Sequence, residues 1–184
     1  MPTGAQRMYV ALPLPEAVRA VLATVMQPRP GIVWTRPKQL HVTLRFLGDV
    51  PEEQIPAMTA RLAEVKVEPF ILPLEGCGTF PPNAPPRVLW IGVGSGHPRL
   101  FQLRQRLDDA LLACGLRFEV RTFHPHITLA RCKEGTDAVV AKWLHAQREF
   151  AAPPFRVESF DLYASALRPT GAVHALRNRF PLEK

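Results

Sequence analysis

The sequence predicts an α+β fold in which one unit is used twice: a duplicated, pseudo-two-fold, bilobal arrangement of two mostly antiparallel sheets facing a central cleft, with helices outside. Three observations predict it. A four-residue string recurs, as His41-Val42-Thr43-Leu44 and His126-Ile127-Thr128-Leu129, 85 positions apart. Both halves read strand, helix, motif strand, helix, strand. The punctuation keeps the same offset, with Pro15 and Pro98 opening corresponding helices 83 apart and Pro69-Phe70 matching Pro154-Phe155 at 85. The chain is therefore read as a single bilobal domain over 1–184, with halves of about 1–84 and 85–184.

Arg7 to Leu12 (RMYVAL) is a short apolar segment stopped by Pro13 and Pro15, read as a buried strand. Val18, Val21, Leu22, Val25 and Met26 then recur at helical spacing, so a helix opened by proline is expected from Pro15 to Gln27. Pro28, Pro30 and Gly31 end it. Ile32-Val33-Trp34 reads as a short extended piece before the first motif strand, Leu40 to Leu47. Side chains in a strand alternate faces, so His41 and Thr43 project one way while Val42, Leu44 and Phe46 project toward a core. Gly48 closes the strand, and Asp49 with Glu52 marks a helix entry toward Val65. Pro56 removes a backbone donor, which demands an irregular first turn or a start near Ile55. Pro69 to Phe80 reads as another strand, and Pro81 to Pro86 as a loop that hinges the two halves.

Arg87 to Val93 is a buried strand like the first. Leu100, Leu103, Leu107, Ala110, Leu111 and Cys114 make the best helical stripe, ended by Gly115. Leu116 to Arg121 reads as extended and leads into the second motif strand, Pro125 to Cys132, where His126 and Thr128 share a face opposite Ile127 and Leu129. Val140, Trp143 and Leu144 mark a helix from about Thr136 to Glu149. Phe155 to Leu167 and Val173 to Phe180 read as two strands around a Pro169-Thr170-Gly171 turn. A doubly wound parallel sheet fits less well, because no glycine-rich strand-to-helix loop occurs and the polar residues lie within strands.

The composition narrows the class. No apolar run approaches the ~18 residues of a membrane span, and the first residues lack the charged and apolar regions of an export signal, so a soluble, cytoplasmic protein is expected. Cys77, Cys114 and Cys132 are odd in number and widely spaced, which argues for reduced thiols. The formal charge is +7, and 18 of the 23 basic residues are arginine, whose planar fork suits phosphate. A polyanionic partner such as RNA follows.

Two imidazoles and two hydroxyls in near two-fold symmetry suit attack at phosphorus. In-line displacement needs a base beside the nucleophile and an acid beside the leaving oxygen, on opposite sides of the phosphate. Histidine serves both roles near neutral pH, and Thr43 and Thr128 can donate to the non-bridging oxygens where charge develops. No metal or other cofactor is required.

At these residues the sequence resembles the 2H phosphoesterase superfamily, and within it the bacterial and archaeal RNA 2′,3′-cyclic phosphodiesterases, also called 2′-5′ RNA ligases. The resemblance covers HVTLRFLG at His41 to Gly48, PRVLW at Pro86 to Trp90, FHPHITLAR at Phe123 to Arg131, and Ser165, Gly171 and the terminal Phe-Pro-Leu. It implies a metal-independent, bilobal enzyme that opens a terminal 2′,3′-cyclic phosphate to a 2′-phosphomonoester, with His41 as proton donor and His126 as proton acceptor. It also implies a minor, reversible ligase activity when a 5′-hydroxyl replaces water. RNA with a cyclic phosphate end, tRNA fragments included, is the implied partner, and a monomer is expected because the duplication supplies both faces of the site.

The resemblance makes Arg131 a phosphate ligand, yet strict alternation puts it on the Ile127 side, so a bulge or strand end near Ala130 is required. Its counterpart in the first half is Phe46. Arg45, on the parity of His41, and His124, on that of His126, are candidates for substrate contact. His124-x-His126 also supports a rival reading as a metal-dependent phosphohydrolase, and a non-catalytic module that binds RNA ends is a second rival. His97, His145 and His174 are expected in packing or surface roles, His174 standing where the resemblance leads one to expect tyrosine. Phe123, Trp34 and Phe80 are candidates for base stacking or cleft wall.

Overall fold

The helices form on the apolar stripes that mark them, in a computed structural model that describes residues 4–94, 97–118, 122–168 and 171–184. Helices α1 (Glu16–Thr24) and α2 (Ile55–Ala63) bury Val18 with Leu22 and Met58 with Leu62. On α3 (Pro98–Ala113), Leu100, Leu103, Leu107 and Leu111 are wholly buried. Helix α4 (Asp137–Ala146) buries Val140 and Trp143. A 3-10 turn at Glu52–Gln54 precedes α2, so Pro56 falls in the first turn, where no hydrogen bond is lost. The ring of His97 caps α3 by accepting from the N–H of Arg99 at 3.1 Å.

The strands are β1 (Ala5–Pro13), β2 (Ile32–Trp34), β3 (His41–Pro51), β4 (Phe70–Glu75), β5 (Cys77–Phe80), β6 (Val88–Gly92), β7 (His126–Cys132), β8 (Ala151–Val157), β9 (Ser159–Arg168) and β10 (Gly171–Pro181). The fold is α+β with antiparallel sheets, but the lobes are not carried on two separate sheets. One eight-stranded sheet runs β10-β9-β1-β3-β7-β6-β5, with β2 added on β7, and β4 pairs β8 apart from it. The reason is the seam, where the motif strands β3 and β7 meet through the single pair Val42 and Ile127. Each then continues along its other neighbour, β1 or β6.

The halves also exchange strands. β5 lies on β6 of the second half, and β9 lies on β1 of the first. The Pro81 to Pro86 loop is therefore a hairpin connection, with Phe80 paired to Val88, and not a hinge between lobes. The strand expected from Pro69 to Phe80 breaks at Gly76, whose φ of 76° only glycine adopts readily, and there the chain leaves the small sheet for the large one. The equivalent crossing at Glu158 divides the strand expected from Phe155 to Leu167. Leu116 to Phe118 form no strand, and residues 119–121 and the turn residues 169–170 lie outside the described residues.

One face of the main sheet is dry. Val10, Leu12, Val42, Leu44, Leu89, Ile91, Ile127, Leu129 and Leu162 all point into it and join the helix leucines in one core. The opposite face is free to carry polar groups.

Candidate active site

Both motif strands carry the same β-bulge. Along β1, Val10 faces Arg45 and Ala11 faces Thr43, so Leu44 is the extra residue. Along β6, Leu89 faces Ala130 and Trp90 faces Thr128, so Leu129 is the extra residue, 85 positions later. An extra residue resets the alternation of faces. Before the bulge, His41 and Thr43, and likewise His126 and Thr128, stand half-buried on the face opposite the core. After it, Arg45 and Ala130 turn inward while Phe46 and Arg131 turn outward.

Two expectations change as a result. Arg45 does not share the face of His41: it is 7% exposed, its Nε donates to Asp108 on α3 at 2.7 Å, and its guanidinium lies 4.3 Å from the Phe118 ring centre. That placement removes it from the candidates for substrate contact. Phe46, expected in the core, is 66% exposed on the site face. Arg131, conversely, reaches the face of His126 through the bulge it required.

The two histidines are held alike. Nδ1 of His41 lies 2.7 Å from the carbonyl of Gln39, and Nδ1 of His126 lies 2.6 Å from the carbonyl of His124, each two residues back. A carbonyl only accepts, so each Nδ1 carries the proton and each Nε2 is left for chemistry. Carrying the Val42–Ile127 register one step either way sets Thr43 against His126 and His41 against Thr128.

The surroundings of the pair differ. His41 stacks on Tyr9, with ring centres 5.0 Å apart, and meets Tyr163 at 6.3 Å and the edge of His174 at 5.8 Å. His126 meets the edge of Phe80 at 4.9 Å and Trp90 at 6.2 Å. Burial pushes His41 down to about 4, against the pull of its Nδ1 bond to Gln39, and the nearby His174 and His126 add repulsion. Burial also lowers His126 and His174. Behind the aromatic wall, the wholly buried Asp161 accepts from the Tyr163 hydroxyl at 2.9 Å and from Arg179 twice at 2.8 Å. Burial raises Tyr9, and Tyr163 to about 12, with Asp161 adding to both, so both phenols stay neutral.

The remaining candidates spread out. The His124 ring is exposed and lies 6.4 Å from Phe80. Phe123 is covered by Arg104 at 5.3 Å, and Trp34 is tied to the carbonyl of Gln27 and packs on Trp143. Phe80 forms wall beside His126. Sequence reasoning missed Tyr9, Tyr163 and Trp90, and placed His174 only in a default packing role; Tyr9 inside the apolar RMYVAL was the available signal, because a buried phenol on an apolar strand usually has a polar task. Among the described residues, no three His, Cys, Asp or Glu side chains gather as a metal site, and no helix is long and apolar enough to cross a membrane.

Comparison with known proteins adds the family. The 2′-5′ RNA ligase superfamily matches residues 14–168. An RNA 2′,3′-cyclic phosphodiesterase of Thermus thermophilus is 36% identical, over 96% of this chain and 90% of its own. One from Archaeoglobus fulgidus is 31% identical, over 91% of this chain and 96% of its own. The solved structure of E. coli LigT in apo form superposes with a TM-score of 0.79 at 26% identity, covering 99% of this chain and all of that one. Matched over most of its length, and aligned with such relatives nearly from end to end, the chain belongs to the 2′-5′ RNA ligase superfamily.

Proposed function

We propose that this chain hydrolyses terminal RNA 2′,3′-cyclic phosphates to 2′-phosphomonoesters by two-histidine acid/base catalysis. The observation that carries the reading is the matched pair of imidazoles, each fixed through Nδ1 to a carbonyl and each leaving Nε2 for proton transfer, with Arg131 on the same face. The relatives named RNA 2′,3′-cyclic phosphodiesterases support the substrate class.

With the phosphate between the histidines, water attacks phosphorus from the side of His126, which takes its proton. The bond from phosphorus to the 3′ oxygen breaks, and protonated His41 gives its proton to that oxygen. The products are a 2′-phosphate and a free 3′-hydroxyl. The acid role of His41 follows the family resemblance, and burial, which lowers its affinity for a proton, works against that role while the site is empty. Its low affinity for a proton in the empty site is offset when the phosphate anion enters. Thr43 and Thr128 donate to the non-bridging oxygens, and Arg131 neutralises them with two parallel hydrogen bonds. No metal or cofactor takes part in this scheme. A 5′-hydroxyl in place of water gives minor, reversible 2′-5′ joining. The enzyme acts as a single bilobal, cytoplasmic monomer on RNA ends such as those of tRNA fragments.

The test is hydrolysis of a short RNA with a 2′,3′-cyclic phosphate end, with EDTA present, by wild type, His41→Ala and His126→Ala. A 2′-phosphate product that persists in EDTA and is lost in both variants supports the scheme. Loss of activity in EDTA would move the chemistry to a metal near His124 and His126. RNA binding without turnover in wild type would leave an end-binding module.

A further inference from the structure

We propose that Phe46 is the platform on which the nucleobase of the cyclised end stacks, and that it sets how strongly the site discriminates among nucleotides. The inference rests on the phosphodiesterase reading above. An exposed apolar side chain standing alone needs no explanation. Phe46 does not stand alone. The site face carries a row across four strands, Phe46 on β3, Tyr9 on β1, Tyr163 on β9 and Leu176 on β10, each paired in register with the next. Of the inner members Tyr9 is buried to 3% exposure and Tyr163 is half-buried, whereas Phe46 and Leu176 are 66% and 49% exposed. The Phe46 ring centre lies 6.0 Å from that of Tyr9, which in turn stacks on His41. One ring therefore separates Phe46 from the proton donor.

The repeat says what the occupant is. The twin bulges put Phe46 and Arg131 at equivalent places on the two sides of the pseudo-two-fold axis, an aromatic face on one side and a guanidinium on the other. A nucleotide has the same two ends, an anionic phosphate and an uncharged π-face. With the phosphate drawn to Arg131 and the two threonines, its ribose and base extend over the His41 lobe, where Phe46 lies open. Phenylalanine offers no hydrogen bond, so it stacks any base and gains more from the larger face of a purine. The asymmetry also gives the substrate one orientation, with the leaving 3′ oxygen on the side of His41.

The experiment compares kcat/KM for adenosine 2′,3′-cyclic phosphate, cytidine 2′,3′-cyclic phosphate and base-free ribose 2,3-cyclic phosphate, in wild type, Phe46→Ala, Phe46→Leu and Phe46→Tyr. Phe46→Leu keeps the apolar bulk of the row and removes the ring. The preference for the adenosine substrate over the base-free one is expected to fall about tenfold in both the Ala and Leu variants. The purine-to-pyrimidine ratio should move toward one, and Phe46→Tyr should retain both preferences. An unchanged preference in Phe46→Ala and Phe46→Leu overturns the proposal. Should wild type turn over none of the three, the phosphodiesterase reading fails separately, and the platform is read by calorimetric titration with adenosine 2′-monophosphate and ribose 2-phosphate. Tighter binding of the nucleotide that is lost in Phe46→Leu supports the stack, and equal binding of the two by wild type overturns it.

Discussion

His41 lies flat against Tyr9, ring centres 5.0 Å apart and planes 30° from parallel. The phenol is neutral, and burial of the imidazole as a whole, with His174 and His126 nearby, disfavours its charged form.

A pH dependence follows. In the proposed scheme turnover needs one imidazole charged and the other neutral, and in the free protein burial lowers both below the ordinary 6.5, His41 to about 4. As pH falls from neutrality, kcat/KM should rise while the first proton is taken up, then fall as the second histidine is protonated, with a maximum between about 4 and 6.5. Bound phosphate raises both affinities for protons, so the maximum of kcat should lie at higher pH. Initial rates at limiting and saturating substrate check this, and a kcat/KM optimum above about 7 would contradict the depression of the free site.

The leaving group tells the proposed acid from the proposed base. On bis(p-nitrophenyl) phosphate, whose p-nitrophenolate departs without a proton, His41→Ala should keep most of the wild-type rate while His126→Ala loses about 10²–10⁴-fold. The opposite pattern would exchange the two roles.

Arg131 is exposed, so its removal should spare stability and cost catalysis. Arg131→Ala is expected to lower kcat/KM by about 10- to 100-fold, the scale of a hydrogen bond between charged groups, and Arg131→Lys to recover only part, because a single ammonium does not reproduce the fork. Equal rates in wild type and Arg131→Ala would remove the residue from the site.

Asp108 predicts the converse. It holds both Arg45 and Arg104, and although burial alone raises its pKa, the two guanidiniums lower it below the usual carboxylate range. Asp108→Ala removes the carboxylate that accepts from both Arg45 and Arg104, so stability should fall by on the order of 2 kcal/mol in urea unfolding. Because a carboxylate of lowered pKa stabilises only above its folded value, this contribution should be present at neutral pH and vanish as acid protonates Asp108. Similar midpoints for wild type and variant would show that the pair carries no such weight.

Much of this molecule is legible from residue pattern. The motif strands, the proline-delayed start of α2 and the leucine stripe of α3 follow from periodicity and backbone chemistry, since each depends on neighbours in sequence. The bulges were half legible: the expected role of Arg131 demanded one near Ala130, yet nothing flagged its twin at Leu44, so Phe46 and Arg45 were set on the wrong faces. One extra residue reverses the side chains that follow it, in β3 as far as a second register shift at Leu47, and local hydrophobicity does not register such insertions. The pairing of β3 with β7, and the gathering of Tyr9, Tyr163 and His174 around His41, come from strands distant in sequence. Only the sheet order reveals them.

The exchange of β5 and β9 between halves bears on how such a chain is inherited. A gene for one half alone would make a sheet with a missing outer strand, together with a spare strand that fits only the vacant place on another copy. Two identical copies trading that strand would form a closed pair with one histidine from each partner at the shared seam. Fusion of the two genes would then free Phe46 and Arg131, bound to be alike in such a pair, to diverge into the unlike ends of one substrate site.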